Sequence, residues 1–147
     1  MCLSETWLRP SELQCINEML SSSVSSFSFE VFSKSSMVDV DSSYQGRPFG
    51  GISVICKNND IFKYHELDTT CDRIIAISVV DMSGKPVQTI FNVYMPFYNG
   101  DYSQTELFTE TLDHLQSCVD KYGALAPFQI VGDFNVQLPK TCRLNGK

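Results

Sequence analysis

The sequence predicts one α/β domain (α+β): mainly antiparallel strands form the core, and helices lie outside it. Three observations carry this reading. Residues 73–80 are nearly all apolar, as in a strand buried on both faces, and a polar turn over 81–86 returns the chain into a partner strand over 88–95. Phe108, Leu112, Leu115, Val119 and Tyr122 recur at helical steps, one apolar stripe ahead of Gly123. At 147 residues the chain is long enough for one real core and too short for two.

Taken in order, the chain opens with too few residues for a full strand before Glu5. A helix starts at Arg9-Pro10-Ser11-Glu12, because proline loses nothing in a first helical turn. Leu13, Ile16 and Leu20 give it a packing face. The serine-rich stretch 21–28 reads as a loop. Residues 29–32 alternate with period two, as a strand does, and 33–48 form a polar loop. Gly50-Gly51 admit a sharp bend into a strand over 52–56. No Gly-Lys-Ser/Thr follows them, so they are not a phosphate loop. Asn58-Asn59-Asp60 is a turn, and 61–67 a short strand.

After the hairpin, Pro96 ends the partner strand because proline cannot donate to a sheet. Ser103 and Glu106 have capping-box spacing at the start of the long helix. Gly123 stands where a left-handed cap is expected. Phe128 to Val131 then form an apolar, buried strand that hands over at Gly132 to Asp133-Phe134-Asn135. Polar groups at such a rim sit on a rigid scaffold and still meet solvent, although Gly, Asp and Asn also make plain turns.

The formal net charge is -6, which argues against binding nucleic acid through a broad field of Lys and Arg. A phosphate substrate held through a bound cation stays open, because the cation reverses the local charge. The six cysteines include no C-x-x-C pair, and His65 and His114 have no zinc-ligand spacing with them. The first ten residues carry Glu5 and Arg9 and no apolar run, so the expectation is an intracellular protein of nucleus or cytoplasm, not a secreted one. No stretch reaches the roughly 20 apolar residues of a membrane span, so no membrane partner is expected.

Four motifs now line up. Leu3-Ser4-Glu5-Thr6-Trp7-Leu8, Gly50-Gly51-Ile52-Ser53-Val54, Asn92-Val93-Tyr94-Met95-Pro96 and Gly132-Asp133-Phe134-Asn135 follow one another in the order seen in the endonuclease/exonuclease/phosphatase superfamily. The chain resembles, in particular, the endonuclease domains of non-LTR retrotransposons. The resemblance covers nearly all of residues 1–147 and implies a four-layer α/β sandwich of two mainly antiparallel sheets with outer helices, incomplete at the C-terminus. It also implies hydrolysis of DNA phosphodiesters with Mg²⁺ (or Mn²⁺) and no small-molecule cofactor. Glu5 matches the family's metal-binding glutamate. Asp133 matches an aspartate that orients or deprotonates the attacking water and also touches the metal. Asn135 offers an amide to the water or the phosphoryl group, and Tyr94 matches a tyrosine facing the scissile phosphate.

Each residue has a plainer reading: Glu5 as an exposed acid, Tyr94 as a strand aromatic, His114 as a solvated helix residue, His65 as structural or exposed. Departures from the family also count. The family's asparagine upstream of the glutamate and its Ser-Asp-His motif downstream have no counterpart, and Phe97 stands where relatives carry a phosphate-contacting asparagine. The expectation is a partial domain with uncovered sheet edges and little or no activity. A phosphatase or sphingomyelinase-like esterase, or a non-catalytic binding module working through its uncovered sheets, are the alternatives.

Overall fold

The computed structural model describes residues 1–23, 27–37, 50–97 and 102–136. Among them the chain runs β1 (Cys2–Ser4), a 3₁₀ turn (Pro10–Glu12), α1 (Cys15–Ser23), β2 (Phe29–Lys34), β3 (Ile52–Lys57), β4 (Phe62–Leu67), β5 (Ile74–Asp81), β6 (Pro86–Tyr94), α2 (Tyr102–Tyr122) and β7 (Phe128–Asp133). The strands form two sheets, β1-β3-β2 and β4-β5-β6-β7. Every pairing is antiparallel except β6 with β7.

Period-two alternation builds the layers. On β5, Ile75 and Ile77 meet Ile52, Val54 and Cys56 of the other sheet. Ile74 and Ala76, on the opposite face, meet Phe91, Val93 and Met95 and, beyond them, Leu115, Cys118 and Tyr122 of α2. Ile74, Ile75, Ala76 and Ile77 are all fully buried, as a strand apolar on both faces requires. α1 lies against β2. The result is the four-layer order of helix, sheet, sheet, helix.

One polar side chain joins the two sheets. Asn92 is fully buried within β6, and its Nδ2 donates to the carbonyls of Leu3, at 3.2 Å, and Ser53, at 3.1 Å. It thereby ties the four-stranded sheet to both β1 and β3. Its Oδ1 has no partner, so the amide is held by its donor side.

Several elements differ from expectation. A three-residue strand does form before Glu5, because β3 supplies the pairing partner. The serine run begins as helix: Ser21 Oγ bonds Asn17 O and Ser22 Oγ bonds Met19 O, which satisfies the hydroxyls inside α1. The helix expected from Arg9 starts instead as a 3₁₀ turn, where Glu12 Oε2 accepts the Arg9 N–H at 2.9 Å. Pro86 opens β6 rather than belonging to the turn, a position where a missing N–H is tolerated.

Leu112 is 47% exposed, while Thr111 and Cys118 are buried beside Leu115 and Tyr122. The inward face of α2 therefore keeps Phe108, Leu115, Val119 and Tyr122 of the expected stripe, and Leu112 alone turns outward in favour of Thr111. Gly123 is not a left-handed cap. Its N–H still bonds Val119 O, and a Cβ there would lie 3.3 Å from the Phe128 ring, so close packing is what asks for glycine. β7 is not a buried strand: it is an edge, with Phe128 43% and Ile130 36% exposed. Most of the 33–48 loop and Cys142 lie outside the described residues, as does the side chain of Ser103 of the capping box.

Candidate active site

The C-terminal ends of β6 and β7 lie side by side because the two strands are parallel, with Tyr94 in register with Asp133. Gly132 makes the close approach possible. Its φ is +128°, and a Cβ would fall on the Val93 carbonyl oxygen. Only glycine can bring β7 this near to β6 just before the aspartate. Beyond the pairing, Met95 N donates to Asp133 O at 2.8 Å. Asn135 N donates to Asp133 Oδ1 at 3.0 Å, and Asn135 Nδ2 donates to Met95 O at 2.8 Å. The 133–135 turn is thus fastened to the end of β6.

Glu5 arrives from the other sheet. It follows β1 with φ 54°, and Trp7 has φ 54° as well. Two backbone bonds hold this bent segment, Thr6 N to Gly51 O at 3.2 Å and Trp7 N to Gly50 O at 2.9 Å. A Cβ on Gly51 would strike Thr6 Oγ1, and one on Gly50 would lie 3.2 Å from the Tyr94 ring. The paired glycines therefore do more than bend the chain: they let the Glu5 segment and Tyr94 close on β3.

The two halves meet at Tyr94, whose hydroxyl donates to Glu5 Oε1 at 3.1 Å. Burial pushes the Tyr94 phenol above its ordinary value. The bond to Glu5 and the charge of Glu5 push it further, Arg73 opposes, and Asp133 adds a smaller upward push. Tyr94 thus stands within the field of both carboxylates, and the phenol keeps its proton at neutral pH. The Arg73 guanidinium carbon sits 5.3 Å from the centre of the Tyr94 ring, within cation–π range. Arg73 O also accepts the Tyr94 N–H at 2.9 Å.

Sequence reasoning missed Arg73, Asn92 and Lys34. Lys34 Nζ donates to Thr69 O, Thr69 Oγ1 and Cys71 O, which fixes the loop that presents Arg73. The one legible signal was Asn92, a carboxamide between the apolar residues Phe91 and Val93. His114, on α2, lines with Arg73 a hollow of about 370 Å³, its Nδ1 3.2 Å from Thr70 Oγ1 and its Nε2 3.9 Å from Glu110. His65 lies in β4. A surface hollow of about 510 Å³ runs along the polar side of α2 past Glu110 and His114 and is not lined by Glu5.

Glu5 and Asp133 are oxygen donors of the type magnesium and manganese take, and such ions use one or two carboxylates with water and phosphate oxygens completing the shell. Among the described residues no group of three or more His, Cys, Asp or Glu is placed to hold a metal. The donor set therefore fits a hard cation shared with substrate and does not fit a closed structural site.

Two stacked sheets flanked by helices form a mixed α/β fold, the class the sequence predicts. No family model matches the sequence, and no curated protein matches it. Among solved structures the chain is similar to a humanized D. rerio TDP2 carrying 14 mutations, with a TM-score of 0.53 and 18% identity over 92% of this chain and 48% of that one. It is also similar to the human Nocturnin catalytic domain with bound sulfate anion, at a TM-score of 0.46 and 22% identity over 92% of this chain and 51% of that one. The chain spans about half the length of the solved structures it matches. The first likeness shows the fold.

Proposed function

We propose that the chain is part of a divalent-cation-dependent phosphodiesterase domain, descended from a DNA-nicking endonuclease of a retroelement, with little activity of its own. The observation that supports this most is the Tyr94–Glu5 hydrogen bond. It joins residues 89 apart in sequence, from different sheets, at the point where Asp133 lies in register with Tyr94.

Glu5 and Asp133 would hold the Mg²⁺ or Mn²⁺, which when bound supplies Lewis-acid polarisation of a phosphoryl oxygen. Asp133 orients the attacking water and accepts its proton. Tyr94 keeps its phenolic proton at neutral pH and donates a hydrogen bond to a phosphate oxygen in place of Glu5. Arg73, over the Tyr94 ring, adds positive charge for the same phosphate. Asn135 holds the turn through Met95 O and so keeps Asp133 at the rim. Among the described residues no histidine is bonded to Glu5, Tyr94 or Asp133; His114 lines the hollow beside Arg73 and is held by Thr70 and Glu110.

Plasmid nicking in Mg²⁺, with Asp133→Ala and Glu5→Gln as controls, tests the reading. The expected result is slow nicking that both variants abolish, with Mn²⁺ binding weakened in each by electron paramagnetic resonance. Fast nicking abolished by Asp133→Ala would overturn the claim of low activity. Nicking and Mn²⁺ binding indifferent to both variants would overturn the site. A second reading, a non-catalytic binding module, is favoured by the exposed Phe128 and Ile130 on the edge of β7. A monodisperse chain that binds no Mn²⁺ would support it.

A further inference from the structure

The two flanks of the sandwich end in different kinds of strand. On one flank the edges are β2, with Glu30 and Lys34, and β4, with Lys63, His65 and Glu66. Charges along an edge discourage pairing with another chain. On the other flank the edges are β1 and β7, and β1 lies over β7. Cys2, Leu3 and Ser4 of β1 bear no charged side chain, and β7 bears none before Asp133. Phe128 and Ile130 stand exposed there, and among the described residues no strand pairs with the outer side of β7. One flank is guarded against association, and the other is not.

Backbone bonding fixes which groups of β7 are open. Thr89 N donates to Pro127 O and Met95 N donates to Asp133 O, so the odd-numbered residues of β7 turn their polar groups to β6. Successive residues of a strand in a parallel pair alternate in the side they bond to. Phe128, Ile130 and Gly132 therefore present their N–H and C=O groups at the free edge. An antiparallel strand centred on Ile130 meets all three when it repeats the sequence of β7. Ile130 then faces Ile130, and Phe128 faces Gly132. An aromatic ring beside an edge glycine covers the backbone that glycine leaves bare. Charge agrees with a like partner. A chain of net charge -6 can approach its own copy closely only across an uncharged surface. Antiparallel pairing also keeps the Asp133 ends of the two strands apart.

We propose that β7 pairs with β7 of a second copy of this chain about a two-fold axis at Ile130, joining two four-stranded sheets into one. Each facing pair of Phe128 with the partner copy's Gly132, and the central pair of Ile130 residues, exchanges two backbone hydrogen bonds. The contact uses the same patch on both copies, so it closes on itself and association stops at the dimer. The partner copy's Phe128 braces Gly132, directly before Asp133, and so steadies the acid of the candidate site. The association itself stands apart from the phosphodiesterase reading.

Sedimentation of the full chain over a range of concentrations should show monomer passing to a species of twice its mass and to nothing larger. Amide exchange reads the register in the parent protein. The N–H groups of Phe128, Ile130 and Gly132 should gain more protection with rising concentration than those of Gln129 and Val131. Ile130→Lys and Ile130→Glu should each weaken the dimer by at least about tenfold, because like charges then meet across the axis. Mixing the two variants should restore association, and that recovery also shows that both fold. His65→Lys, on the guarded edge, should leave the dimer unchanged. A parent that stays monomeric, as when another segment of the chain covers β7, would overturn the proposal. So would open-ended aggregates, protection without the even-residue pattern, a dimer indifferent to Ile130→Lys, or two variants folded by circular dichroism that fail to recover on mixing. Mn²⁺ binding, measured separately, isolates the catalytic reading. A dimer that binds no Mn²⁺ retains the interface and sinks the phosphodiesterase; a strict monomer that binds Mn²⁺ does the reverse.

Discussion

Replacing Gly132 by alanine tests whether the site depends on the close approach of β7 to β6. At φ +128° an L-residue is held in a region close to glycine-only, which costs about 1–3 kcal/mol. The added methyl would also fall on the Val93 carbonyl oxygen and lie 2.8 Å from the Val93 carbonyl carbon. Val93 is fully buried against α2 and cannot retreat, so β7 must move. Peeling back Gly132 and Asp133 gives up on the order of two hydrogen bonds, among them Met95 N to Asp133 O, at about 1 kcal/mol each. The sum is about 3–5 kcal/mol, a large share of a typical domain's stability. Gly84 provides the control: its φ is +85°, and nothing lies within 4 Å of a Cβ there. Gly84→Ala meets the backbone strain alone, about 1–2 kcal/mol. Urea unfolding followed by Trp7 emission and circular dichroism should show a midpoint shift for Gly132→Ala about twice that for Gly84→Ala, with similar slopes. Equal shifts would mean that β6 and β7 are not packed as described, and the geometry of Asp133 would fall with them.

Leu115→Ala should cost about 2–5 kcal/mol and Leu112→Ala less than about 0.5 kcal/mol, read by thermal unfolding, because the first is buried under the sheet and the second faces out. The reverse order would mean that Leu112, not Leu115, faces the sheet. Tyr94→Phe should alter alkaline stability. The folded phenol is raised above 10.0, so its contribution is intact below that pH and is lost as pH climbs through the folded value. The variant should lose less stability than the parent as pH climbs above about 10; parallel profiles would refute the Tyr94 environment. Asn92→Leu removes two cross-sheet bonds worth about 1 kcal/mol each and also removes an unpartnered acceptor, so its net cost should be near 1 kcal/mol. Exchange of the β1 amides should quicken much more than that small cost implies; unchanged protection would show that Asn92 does not hold β1.

The elements were legible where one physical demand dominated. The run over residues 74–80 has no polar interruption but Ser78, and burial on both faces left it no other fate. The hairpin to β6 followed from the polar turn, where Asp81 Oδ1 accepts from Ser83 N and Lys85 N. Legibility failed where two demands competed. Leu112 is apolar yet faces solvent, and Thr111 is polar yet buried, because Thr111 Oγ1 satisfies itself on Leu107 O within α2. Hydrophobicity alone assigns the wrong residue in such a pair. β7 misled in a similar way, since an apolar run reads as buried whether it lies at the centre of a sheet or at its edge.

The site was half legible for a related reason. Glu5, Tyr94 and Asp133 could be named from motif order, but nothing in that order says what holds them together. The structure assigns that work to groups with no chemistry of their own to advertise. Gly132 brings β7 to β6, Gly50 and Gly51 admit the bent Glu5 segment, and Asn92 fastens β1 across the sheets two residues before Tyr94. Glu5 and Tyr94 come from different sheets, so their 3.1 Å bond exists only while the spacing between sheets is kept. Apolar packing alone sets such a spacing loosely, since aliphatic side chains tolerate small slides. A fully buried carboxamide that donates to two backbone carbonyls does not, because a slide would leave its donors unsatisfied in an apolar layer. Asn92 therefore turns the softest direction of the sandwich into a fixed one, next to the place where two acids and a phenol must meet.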